Sequence, residues 1–110
     1  MDAIQKVVLL QELVDNYNAY AEGLDTRNWA MVRSCFADSV IIDYGDLEAG
    51  EARAWPADDW VAHIQAVLSG FDATHHSITN HRLSLQDDRP ECRAYLVADH
   101  VKLKQPAVAE

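Results

Sequence analysis

At Gly70 the hydrophobic period of the chain changes, and that change restricts the folds open to it. Before it, apolar residues recur at helical spacing; after it, they alternate. From Ala3 to Leu24 the apolar positions are Ala3, Val7, Leu10, Val14, Tyr17, Ala21 and Leu24, with Lys6, Glu12, Asp15 and Glu22 off the stripe. This spacing predicts a long amphipathic first helix, with Gly23 near its end. In "TRNWAMVRSCF", Trp29, Val32 and Phe36 predict a short second helix. "ADSVIIDYGD" then turns β-branched, with Val40, Ile42 and Tyr44 on one face of a strand and Ile41 and Asp43 on the other. Gly45 to Trp55 reads as a loop or ragged hairpin, and Pro56 suits the start of a third helix over about Ala57 to Gly70. Trp60, Ile64, Val67, Leu68 and Phe71 share one face of that helix.

Beyond Gly70, residues 74 to 86 read as one strand, "DDRPE" as a turn, and "CRAYLVADHVKL" as the next strand. In the latter, Cys92, Ala94, Leu96, Ala98 and His100 share a face that suits the inner wall of a curved sheet around a cavity. The architecture expected is α+β, with helices first and antiparallel strands wrapped around the long helix. Three or four strands are countable where six or more would be expected.

A chain of 110 residues is one domain with a single core. Its formal net charge is −9, with nine Lys and Arg scattered along it, so nucleic acid is not an expected partner. No apolar run approaches membrane-spanning length, and "MDAIQKVVLL" lacks a cleavage site, so the expected location is the cytoplasm, with no membrane partner. Cys35 and Cys92 have no C-x-x-C spacing and read as reduced, buried small hydrophobes.

Three of the five histidines fall in "DATHHSITNH". On a regular strand His76 faces away from His75, and also away from His81 unless a bulge intervenes. His63, between Trp60 and Ile64, is expected at the surface or an interface. The histidines lack the helical pair of a zincin, and neighbours on a strand face apart, so no metal site is expected.

The order "LDTRNWAMVRSCFADSVIIDYG", a helix, "THHSITNHRLSL" and "CRAYLVADHV" resembles the SnoaL-like domains of the nuclear transport factor 2-like superfamily. Within it, the chain looks most like the branch of scytalone dehydratase and the bile-acid 7-alpha-dehydratases. The resemblance covers roughly residues 5 to 103 and implies a single SnoaL-like domain over 1–110. The fold implied is a cystatin-like cone: three N-terminal helices packed in a curved antiparallel sheet, with a pocket at the wide end. Relatives usually continue past the strand that holds His100, whereas this chain stops at "VKLKQPAVAE". A shorter sheet with a more open pocket, or completion by a neighbouring subunit, is therefore expected, as is a homodimer or homotrimer.

By the same resemblance Asp25, Tyr44, His76 and His100 match the scytalone dehydratase pattern, and Tyr20 matches the tyrosine of the bile-acid enzymes. The chemistry wants these types together. Elimination of water next to a carbonyl needs a base for an acidic C–H, a donor to the enolate-like oxygen, and an acid for the leaving hydroxyl. Histidine serves as base or acid near neutrality, aspartate fixes its tautomer, and tyrosine donates without carrying charge. His76 is assigned as the proton shuttle, Asp25 as the partner of His76 or of His100, and Tyr20 and Tyr44 as carbonyl-polarising donors. Asn80, Trp60, Ile64, Leu96 and Ala98 are expected to line the substrate pocket, with no cofactor.

Each residue also has a structural reading. Asp25 suits a helix N-cap, and Tyr20 and Tyr44 suit core aromatics. The function implied is a dehydratase acting on a small hydrophobic cyclic hydroxy-ketone. The alternatives are a ketosteroid-isomerase-like or polyketide-cyclase-like enzyme, and a non-catalytic ligand-binding or assembly module on the same fold.

Overall fold

The computed structural model describes residues 1–45, 51–87 and 89–103. Helix α1 spans Ala3–Thr26 and begins with a capping box. The Asp2 side chain accepts from the Gln5 amide at 2.8 Å, and the Gln5 side chain accepts from the Asp2 amide at 2.9 Å. The predicted stripe is covered only from Leu10 onward, since no described element packs over the first two turns, where Ile4 and Val7 stay exposed. Helix α2, Trp29–Ser34, is capped by Asn28, whose side chain accepts from the Met31 amide.

Between the two helices, Gly23 replaces a side chain with backbone contact. A Cβ there would lie 2.8 Å from Val32 Cγ2 and 3.2 Å from the Asn28 carbonyl oxygen. Glycine costs about 0.5–1 kcal/mol inside a helix, and the close approach of α2 explains why it stands here. Gly23→Ala is therefore expected to destabilise the fold by about 1–3 kcal/mol despite the better helix propensity. A urea midpoint at or above that of the parent protein would refute this.

Strand β1 (Ser39–Ile42) pairs antiparallel with β2 (Arg53–Pro56), which turns part of the expected loop into a short hairpin arm. The loop's residues 46–50 lie outside the described set. Val40 and Ile42 face the core as predicted, but the strand ends before Tyr44. Helix α3, Ala57–Leu68, follows β2 directly and carries Asp58 and Asp59 in its first turn, where the helix dipole favours acids. Arg33 ties these pieces together: it holds Asp58 at 2.6 Å, Asp38 at 2.8 Å and the Phe36 carbonyl at 2.9 Å. Leu24, Val32, Trp60, Val61, Ile64 and Leu68 form the buried core where α1, α2 and α3 meet.

Strands β3 (Ala73–Gln86) and β4 (Arg89–Val101) form a long antiparallel ribbon that shares no ladder with β1–β2 among the described residues. Gln86 pairs with Arg89, so the turn is shorter than "DDRPE": Arg89 and Pro90 belong to the strand, and Asp87 takes a left-handed φ of 51°. One irregularity interrupts the ladder. Thr79 faces Tyr95 and Arg82 faces Arg93, so β3 advances three residues where β4 advances two. Asn80, at φ 60°, takes up the extra residue of this bulge. The inward parity flips there: Thr74, His76 and Ile78 are buried or half-buried before it, and His81, Leu83 and Leu85 after it.

Candidate active site

The last turn of α1 carries Asp25 to the first residues of β3. There the carboxylate takes three hydrogen bonds: Thr74 Oγ1 donates at 3.0 Å, the His76 amide at 2.9 Å, and His76 Nδ1 lies 2.7 Å away. Asp25 caps no helix, and its partner is His76. The side chains are 22% and 7% exposed, so the pair is largely out of water. Burial by itself raises the carboxyl pKa, but the His76 amide and ring and the Thr74 hydroxyl outweigh it and hold Asp25 below its ordinary value. An ionised carboxylate only accepts, so the Nδ1 nitrogen of His76 carries the proton toward it. In the neutral ring Nε2 is then a lone-pair acceptor, the atom a general base needs.

Because its pKa is lowered in the folded state, Asp25 contributes stability above its unfolded value of 3.8, and that contribution is lost as pH falls through the lower folded value. Thr74→Val removes one of the lowering hydrogen bonds. It is expected to cost about 1 kcal/mol at neutrality, with the gap to the parent protein narrowing as pH falls below the unfolded value of 3.8. Urea midpoints measured across that range check this, and a gap independent of pH would overturn it.

His76 opens on a cavity of about 360 Å³ bounded by three walls. The ribbon supplies His76, Leu96, Ala98 and His100; α3 supplies Trp60, His63 and Ile64; α1 supplies Tyr20 and Leu24. Tyr44, past the end of β1, also lines it. The His76 and His100 rings meet edge to face with centroids 5.8 Å apart, and His100 also packs on Phe71 at 4.9 Å. Burial, with smaller contributions from neighbouring Tyr44 and Cys35, pushes the Tyr20 phenol up to about 12. It therefore remains a neutral donor at any physiological pH.

The structure thus brings His76 to the same cavity as His100, Tyr20 and Tyr44, together with Trp60, Ile64, Leu96 and Ala98, while Asp25 does not line the cavity and reaches it through His76. Asn80 is different. The bulge turns it out to solvent, and it does not line the cavity. His75 is exposed beside Asp99 at 3.9 Å, and His81 turns inward onto Tyr17 with centroids 5.3 Å apart. Two residues were not legible as part of the site. Thr74, which is buried, supports Asp25, and His63, expected at the surface or an interface, is half-buried on the cavity wall. Its position three residues after Trp60 on the apolar stripe was the available signal. Cys35 and Cys92 are both free and half-buried. Among the described residues no helix is long and apolar enough to cross a membrane, and no group of three or more His, Cys, Asp or Glu is placed to hold a metal ion.

Residues 8–109 match the SnoaL-like domain family. A protein from Kribbella flavida, Kfla4162, known from a crystal structure, is similar at 27% identity with a TM-score of 0.75. The similarity covers 82% of this chain and 62% of that protein, so this chain spans less than two thirds of its length. No curated protein matches the chain. The helices and antiparallel strands thus form the nuclear transport factor 2-like α+β fold expected from the sequence.

Proposed function

Since the chain belongs to the SnoaL-like domain family, we propose that it is a cofactor-independent acid–base enzyme of the dehydratase type, acting on a hydrophobic cyclic hydroxy-ketone. The observation that carries this reading is the Asp25–His76 pair, 2.7 Å apart, whose imidazole lies on the wall of a largely apolar cavity that two tyrosines also line. His76 Nε2 takes the proton from the carbon beside the carbonyl, and Asp25 stabilises the imidazolium that forms. Tyr20, held neutral by burial, donates to the carbonyl oxygen as negative charge develops on it, and Tyr44 is the second candidate donor. The electron pair of the broken C–H bond becomes the new C=C bond. The carbon–oxygen bond breaks, the hydroxyl leaves with a proton from His100, and the products are an enone and water. The branch holding scytalone dehydratase and the bile-acid 7-alpha-dehydratases is the part of the family nearest to this chemistry.

The test is a bicyclic β-hydroxy-ketone that aromatises to a naphthol on losing water, followed in the near ultraviolet. Turnover that Asp25→Asn removes supports the proposal. Binding without turnover by the unaltered protein would leave a ligand-binding module instead. That second reading draws on the ribbon face turned away from the cavity, where Tyr95 and Val97 are 68% and 65% exposed. Self-association as a homodimer or homotrimer over this face is part of the proposal, and light scattering on the eluting protein tests it.

A further inference from the structure

Strand β4 carries a charge pattern that is not answered within one chain among the described residues. Its outer face shows Arg93, Tyr95, Val97 and Asp99 in turn, all exposed. Arg93 stands directly opposite Arg82 of β3, a like-charge pair that costs stability across a ladder. The ion-pair contact of Asp99 among the described residues is His75 Nδ1 at 3.9 Å, with both side chains in solvent. Arg93 and Asp99 lie about 20 Å apart along an extended strand, so neither can reach the other within one chain.

The backbone of β4 is open as well. Among the described residues it pairs with β3 alone, so the other edge of this 13-residue strand presents amides and carbonyls without a ladder. At its centre Tyr95, Leu96 and Val97 are all exposed on both faces of the ribbon. Leu96 lines the cavity, yet it is 55% exposed. The cavity wall is therefore incomplete along this edge.

We infer that the open edge of β4 pairs antiparallel with β4 of a second copy about a two-fold axis at Leu96, so that Arg93 of each chain meets Asp99 of the other and Tyr95 meets Val97. The strand is self-complementary about that residue and not about its neighbours. Moving the axis to Tyr95 sets Asp99 against Glu91, and moving it to Val97 sets Arg93 against Val101. The charges thus select one register and penalise the next. On the cavity side of the new ladder Leu96 meets its own copy and Ala98 meets Ala94, so the second chain extends the wall where Leu96 leaves it bare. This rests on the self-association proposed above and gives it a geometry, but it needs nothing from the elimination.

The experiment is sedimentation equilibrium on the full chain, its Arg93→Asp and Asp99→Arg variants, and the double variant. Each single exchange sets two like-charge pairs across the axis and should raise the dimer dissociation constant about tenfold. The double variant restores both pairs with their signs reversed and should return to within about threefold of the parent. Since the two positions cannot touch within one chain, that recovery reports contact between chains. Amide exchange then separates edge from face. Alternate β4 amides, those that do not donate to β3, should exchange slowly in the dimer and fast on dilution, whereas contact through the face alone leaves them fast. Single exchanges that leave the constant unchanged, a double variant no tighter than the singles, or β4 amides indifferent to protein concentration overturn the edge pairing and leave self-association over the outer face standing. A parent protein that stays monomeric throughout its soluble range overturns both, while turnover of the β-hydroxy-ketone tests the elimination independently of either.

Discussion

His76→Ala is expected to lower turnover of a β-hydroxy-ketone by about a thousandfold, within the range that a positioned general base contributes. Truncation removes Nε2, the base atom, together with the ring hydrogen bond to Asp25 at 2.7 Å. It leaves the backbone amide of residue 76 and the Thr74 hydroxyl on the same carboxylate, so Asp25 keeps two of its three hydrogen bonds. The loss should therefore appear in kcat while the urea midpoint moves by about 1 kcal/mol or less. Added imidazole should recover part of the rate, because the space vacated by the ring opens on the cavity. His100→Ala should lose less, since His100 touches His76 and Phe71 only through ring contacts and has no carboxylate orienting it among the described interactions. Kinetics on the purified variants decide the matter. A His76→Ala protein within tenfold of the parent would remove His76 from the base role.

Trp60→Ala should have the largest effect on stability. The indole is 4% exposed and belongs to the core cluster with Leu24 and Ile64. It also packs on Tyr44 at 5.8 Å, Trp55 at 5.3 Å and His63 at 5.4 Å, so one side chain supports both the core and the cavity wall. Deleting it is expected to cost about 3–5 kcal/mol, a large share of the roughly 5–15 kcal/mol that holds a domain folded. Denaturant unfolding followed by far-ultraviolet circular dichroism measures this. A cost under about 1 kcal/mol would mean that the site collapses around the void and that Trp60 is not its keystone.

The elements that depend on hydrophobic period were legible. The spacing of Ala3 to Leu24 and of Trp60 to Phe71 gave helices whose starts match α1 and α3, because a buried stripe at period 3.6 has few other solutions. The alternation from Cys92 to His100 marked the face of β4 that now bounds the cavity. What failed was local. Strict alternation puts Asn80 on the face of His76, whereas one extra residue at the bulge reverses the parity of everything after it. The sequence held a trace of this, since the apolar positions pass from even at Ile78 to odd at Leu83 and Leu85. Arg53 to Pro56 formed a strand because β1 offered a partner, which no pattern in "RAWP" announces. His63, expected at the surface or an interface, is half-buried on the cavity wall because it shares the helical stripe of Trp60. The Asp25–His76 contact spans 51 residues, and spacing alone could not join its ends; only the resemblance pointed to them.

The two β ribbons have no hydrogen bond ladder between them among the described residues. The cavity lies along the seam between the β3–β4 ribbon and helices α1 and α3, rather than inside a continuous sheet. Widening a seam shifts side-chain contacts and breaks no backbone hydrogen bonds, whereas widening a closed barrel must rupture a ladder. The arms should breathe as separate bodies, each cooperative within itself, with amide exchange in β3–β4 governed by a different opening event from that in β1–β2. A ligand that bridges the α3 and ribbon walls would act as a clasp across the seam, slowing exchange on both sides at once and coupling two units that the backbone leaves independent.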